Sequence, residues 1–176
     1  MKYLAKQFII SIILIILLGS ISHFIYDLTG KLSFVGAFLP ANESIWEHLK
    51  LLLVPIIFWW VLFFIFNKKK LSIDKNKWFF ATIIALLSSM IFQLSSFYIY
   101  TGIFRVEYLA IDILIFIFAV IIGQLIGLHI FKYSKGINYK ISILILLILV
   151  LFFIYMTFNP PELPIFLDKN TGNYGI

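Results

Sequence analysis

Apolar positions fall into five long runs, at about 7–28, 45–66, 78–100, 108–131 and 140–158. Each matches the roughly 20 residues that a helix needs to cross a bilayer. No run alternates with period two, so barrel strands are excluded, and in hydrocarbon a single segment satisfies its own backbone only as a helix. The predicted fold is all-α: a polytopic membrane helix bundle of five transmembrane helices, forming one membrane-embedded domain over 1–176. Gly30, Gly36 and Pro40 interrupt the apolar residues of 29–41, which predicts a short re-entrant or surface segment. Pro55 removes one backbone bond in mid-span and predicts a kink with space beneath the polar residues at that helix start. Gly123 and Gly127 form a small-xxx-small packing motif, and Ser89, Gln93, Ser96 and Tyr100 form one polar stripe suited to helix–helix contact. Pro160, Pro161, Pro164, Phe166 and Tyr174 predict that 159–176 is a rigid extended segment folded back over the bundle mouth.

Composition agrees with this pattern. Hydrophobic residues make up 62% and charged residues 12%, against about 25% charged in soluble domains. The net charge of +6 does not form a nucleic-acid-binding stripe; the basic residues flank apolar runs and act as topology signals and lipid contacts. Lys2, Lys6, Lys68, Lys69, Lys70, Lys75, Lys77, Lys132, Lys135 and Lys140 share one side, and Lys31, Lys50, Arg105 and Lys169 the other. By the positive-inside rule the N-terminus is cytoplasmic and the C-terminal tail extracytoplasmic. Lys2, Lys6 and the small residues Gly19 and Ser20 also fit a cleaved leader, but the run continues to Tyr26, and a retained helix is expected. Cysteine is absent, so disulfides, thiolate metal sites and cysteine nucleophiles are excluded.

Seven of the eight acids lie toward the extracytoplasmic side: Asp27, Glu43, Glu47, Glu107, Asp112, Glu162 and Asp168. The densest polar stretch is Asn42-Glu43-Ser44-Ile45-Trp46-Glu47-His48-Leu49-Lys50, at the start of the second span. Ser44 and Glu47 fit a capping box. His23 and Asp27 are four apart and share a helix face. Ionisable groups at membrane depth are costly and turn inward or toward water, so these distant polar residues are expected to converge. Glu43, Glu47 and His48 are the candidate catalytic groups. His23, Asp27, Asn42, Arg105 and Asp112 are candidate binding residues. His23, Asp27, Glu43, Glu47 and His48 offer nitrogen and oxygen ligands suited to a divalent metal such as zinc, with His23, Asp27, Glu47 and His48 as the expected ligand set. His129 lies near the opposite end, about 30 Å away across the bilayer, and is expected to stay outside this site.

Three blocks carry a resemblance: His-x-x-Tyr-Asp at 23–27, Asn-Glu-Ser-x-Trp-Glu-His at 42–48, and the proline-rich tail closing in Gly-x-Tyr-Gly at 172–175. Together they resemble a family of small uncharacterised multi-pass membrane proteins found mainly in Gram-positive bacteria. The resemblance implies an integral membrane protein of the cell membrane and transfers no catalytic role. The expected partners are the lipid bilayer and a lipid or small polar ligand. The expected function is that of a structural or accessory membrane protein, in which the polar groups fix helix ends. The alternatives are a binding pocket for a lipid headgroup or small solute, and a metal-dependent membrane hydrolase or transferase using His23, Asp27, Glu43, Glu47 and His48. A Ser–His–Asp hydrolase built on Ser22 or Ser44 lacks a nucleophile-elbow pattern.

Overall fold

The computed structural model describes residues 2–176, with side chains from Lys6 onward; the Lys2 side chain, part of the charge pattern above, lies outside the described residues. The helices are α1 (Lys2–Leu28), α2 (Ser33–Phe38), α3 (Ile45–His48), α4 (Lys50–Asn67), α5 (Lys75–Phe104), α6 (Leu109–Tyr133) and α7 (Tyr139–Phe158), followed by a 3-10 turn at Pro164–Phe166. Among the described residues there is no strand, only an isolated antiparallel bridge between Leu167 and Tyr174. Five helical segments are long and apolar enough to cross a membrane, with α3 and α4 sharing one. Polar caps set the starts of α5 and α7. The Asp74 carboxylate accepts from the backbone N–H groups of Asn76 and Lys77, and the Asn138 side chain accepts from that of Lys140. These bonds satisfy donors that a helix start leaves open.

α5 lies at the centre, packed on α4, α6 and α7, while α1 packs on α4 and α6. The small residues of α6 allow its close approach to α5. A Cβ on Gly123 would overlap Ser89 Oγ and stand 2.6 Å from the Ala85 carbonyl, and one on Gly127 would meet Ala85 and Trp60. Buried Phe8, Trp60, Phe63 and Trp78 form the aromatic core toward the lysine-rich rim. The Gln124 carbonyl accepts from Trp60 Nε1 and Ser11 Oγ, and Trp78 Nε1 donates to the Trp60 carbonyl. These three buried donors thus find partners inside the bundle.

The second span, expected at 45–66, runs over Ile45–Asn67. It tightens at Leu49, whose N–H bonds the Trp46 carbonyl before α4 begins. Pro55 has no N–H to give the Leu51 carbonyl, four residues earlier. The space there is filled, not open. Gly19 of α1 comes so close that a Cβ would lie 2.8 Å from that Leu51 oxygen and 2.6 Å from Phe116 Cζ of α6. Three helices therefore meet at one level, a single turn below the polar rim.

Residues 29–41 turn through Gly30 and Lys31, both at positive φ, into the short α2. Residues 159–176 fold back over the tail-side rim, but not as the extended segment expected. The Asp168 carboxylate accepts from Asn170 N–H and Thr171 Oγ1, while Asp168 N–H and Gly172 N–H bond the Asn173 and Asp168 carbonyls. That local network curls the chain into a tight loop, because an aspartate side chain can replace backbone turn bonds. Phe166 anchors the loop on Trp46, which itself stacks on Phe153.

Candidate functional site: two histidines and a glutamate at the tail-side rim

The stretch 42–48 is shaped by its own polar side chains. Asn42 Oδ1 accepts from Ser44 N–H, and Ser44 Oγ accepts from Glu47 N–H as the N-cap of α3. This places Glu43 just before the helix, with its side chain turned toward α1. The Ser44 carbonyl also receives His48 Nδ1 at 3.0 Å. A carbonyl only accepts, so Nδ1 carries a proton there, and Nε2 is the ring nitrogen that points into the site.

His23 of α1 and His48 of α3 face each other with their Nε2 atoms 3.1 Å apart. Glu43 Oε2 stands 3.3 Å from His48 Nε2 and 3.7 Å from His23 Nε2. Among the described residues these three are the group whose ligand atoms converge closely enough to hold a metal ion. The His48 ring lowers the Glu43 carboxyl below the usual carboxylate range, chiefly through a hydrogen bond and then, against the opposing effect of burial, through the charges of His48 and His23. Two ligands bound to a tetrahedral zinc at about 2.0–2.1 Å stand about 3.3–3.4 Å apart. The observed triangle has edges close to that, so an ion just off its plane reaches all three atoms. One proton, by contrast, satisfies only a single pair.

The remaining candidates divide. Asp27 is exposed, lies 4.0 Å from Lys31 Nζ and stands outside the converging group. Glu47 also leaves the expected ligand set. It is buried, its Oε2 accepting from Lys50 Nζ and Ala41 N–H, both at 2.8 Å, and its Oε1 from Thr157 Oγ1 at 2.9 Å. Lys50, fully buried, also donates to the Gly36 carbonyl at the end of α2 at 2.6 Å, where a helix C-terminus favours a cation. The capping box is therefore half formed: Ser44 plays its part while the Glu47 carboxylate ties together α2, α4 and α7.

Asn42 Nδ2 donates to the Gly175 carbonyl and holds the tail. Arg105 is exposed at the left-handed end of α5, and the neighbouring Glu107 pairs with Lys169 of the tail instead. Asp112 accepts a 2.6 Å hydrogen bond from Tyr100. Ser22 Oγ donates to the Gly19 carbonyl, and Ser44 Oγ accepts from Glu47 N–H as a cap. His129 packs on Tyr133 at the other end of the bundle. Of the polar stripe on α5, Ser89 bonds within its helix, Gln93 Nε2 approaches the His48 carbonyl at 3.5 Å, and Tyr100 reaches α6. The role of Thr157 had no sequence signal beyond a lone hydroxyl in the last turn of an apolar helix. Beside the site, the tail, α1 and α7 border an open cleft of about 780 Å3, lined in part by Tyr26, Asn42, Asp168 and Tyr174.

The Gly19 contact sets the height and approach of α1, and His23 is one turn above it. Gly19→Val is expected to push α1 off Leu51 and Phe116, separate the two imidazoles and weaken metal binding at least about 10-fold, the scale of lost supporting contacts around a metal site. Isothermal titration with zinc in detergent measures this, and wild-type affinity in the variant would show that the helix contact does not set the site.

Fold and site together define a multi-pass membrane protein with two histidines and a carboxylate gathered at one rim. The chain belongs to a family of unknown function, DUF6512, whose family model matches residues 1–176. No curated protein and no solved structure matches it.

Proposed function

We propose that this protein holds a divalent transition ion, of which zinc is the best match, at the extracytoplasmic rim of the cell membrane. His23 Nε2, His48 Nε2 and Glu43 Oε2 are the ligands and a fourth position is open. The triangle of 3.1, 3.3 and 3.7 Å between these atoms carries the reading. His48 adds support: its Nδ1–H is taken by a carbonyl, the second contact that orients most metal-binding histidines. Three protein ligands with an open fourth position is the arrangement of catalytic zinc sites, whereas structural sites use all four.

The scaffold reading is served by different atoms. Glu47, Lys50 and Thr157 fix the rim, and the histidines and Glu43 are left over for a ligand. The placement outside follows from the lysines crowded at the opposite rim, so the N-terminus is cytoplasmic. Because the chain has no cysteine, single cysteines at Lys69 and Asn170 report orientation cleanly. The reading expects an impermeant maleimide applied to intact cells to label Asn170→Cys alone; labelling of Lys69→Cys alone would reverse the orientation. Elemental analysis of detergent-purified protein tests the site itself. Close to one zinc per chain is the expected result, and no stoichiometric metal after zinc loading would refute it.

A further inference from the structure

Resting on the metal reading above, we infer that the site is a hydrolytic centre for the acyl ester of an outer-leaflet amphiphile, with Asp112 as its general base and Tyr100 as the residue that positions it. The argument begins at the level where Gly19, Leu51 and Phe116 meet. His23 lies four residues outward from Gly19 on α1. Asp112 lies four residues outward from Phe116 on α6, which runs the other way. His48 lies three residues outward from Leu51. Spacings of three and four return to the same helix face one turn along. His23 and Asp112 therefore lie on the facing sides of α1 and α6, and His48 meets His23 directly.

Gln93 of α5 reaches the His48 carbonyl, and Tyr100, seven residues outward on the same helix face, holds Asp112 at 2.6 Å. Asp112 therefore stands outward of the His48 carbonyl, on the side toward which the His48 ring extends to Ser44. A carboxylate that is no ligand, oriented by a phenol beside an open metal position, is suited to take a proton from metal-bound water.

The substrate class follows from the flanks. Phe24 on α1 and Ile99 and Ile103 on α5 are exposed, at 62%, 60% and 67%, so the bilayer borders the site. An amphiphile can present its ester linkage there while its chains stay in the membrane. With an ion held by His23, Glu43 and His48 to polarise a water molecule, Asp112 would take a proton from that water as its oxygen bonds to the ester carbonyl carbon. The bond from that carbon to the alcohol oxygen then breaks, and the alcohol leaves with the proton from Asp112. Water is the only co-reactant, and nothing is oxidised or reduced.

The test uses the full chain in nanodiscs of phosphatidylglycerol, loaded with zinc, with bound zinc and released fatty acid both measured. Wild type is expected to release fatty acid in a zinc-dependent manner. Asp112→Asn is expected to keep the wild-type zinc content and melting temperature while kcat falls about 10²–10⁴-fold, the usual worth of a general base. Tyr100→Phe is expected to lower kcat by less, with KM and zinc unchanged. Zinc-loaded wild type releasing no more fatty acid than the zinc-free protein would overturn the proposal, as would hydrolysis of only the water-soluble 4-nitrophenyl acetate. Full activity or lost zinc in Asp112→Asn would overturn the general-base role. Wild type that binds no zinc refutes the metal reading itself, and elemental analysis shows this before any activity is measured.

Discussion

Replacing Glu47 by alanine is expected to destabilise the fold by about 3–5 kcal/mol, because it strands the Lys50 ammonium in the interior without its counter-charge. Lys50 has no route to water: it is fully buried and its hydrogen bonds run to Glu47 and to the carbonyls of Gly36 and Leu39. The same substitution also leaves Ala41 N–H without its acceptor and leaves Thr157 Oγ1 with only its bond to the Phe153 carbonyl. For a chain of this length such a loss corresponds to a drop in Tm on the order of 10 °C, read by thermal unfolding in detergent at one scan rate. Removing both charges with Glu47→Ala and Lys50→Met is expected to recover part of it, since an unpaired buried charge costs more than an absent pair. Equal Tm values for wild type and Glu47→Ala would remove Glu47 from the structural role assigned to it.

His48→Ala is expected to lower zinc affinity at least about 100-fold, more than the loss of a supporting residue costs. Asp27→Ala is expected to leave it unchanged. The contrast matters because composition and spacing alone make both residues ligands. Asp27 pairs with Lys31 at the surface, whereas His48 points its Nε2 at both His23 and Glu43. Elemental analysis and zinc titration of the two variants decide between the two ligand sets. A loss of affinity in Asp27→Ala equal to that in His48→Ala would return Asp27 to the site.

The spans were legible because hydropathy acts over about 20 residues and needs no knowledge of partners. The tight packing at Gly123 and Gly127 was legible for a similar reason, since small residues in a membrane helix have one dominant use. The exchange of roles between Glu43 and Glu47 was not. Glu43 precedes the helix, so no helical period fixes its direction, and only the Asn42–Ser44 turn aims it at α1. Glu47 carried its own signal in Lys50, three residues on, and Asp27 carried one in Lys31, four residues on. Both are spacings at which opposite charges pair. The Gly19–Leu51–Phe116 level depends on three distant segments meeting, which a single sequence does not encode in any local pattern. The tail's shape turned on Asp168, whose loop-forming bonds outweighed the extended preference of the prolines before it.

X-ray absorption at the zinc edge of the loaded protein tests the central claim most directly. Two imidazole nitrogens at about 2.0–2.1 Å with oxygen completing the shell is the expected spectrum, reduced to one imidazole in His23→Ala. A spectrum with no imidazole scattering, unaltered by that substitution, would contradict the site.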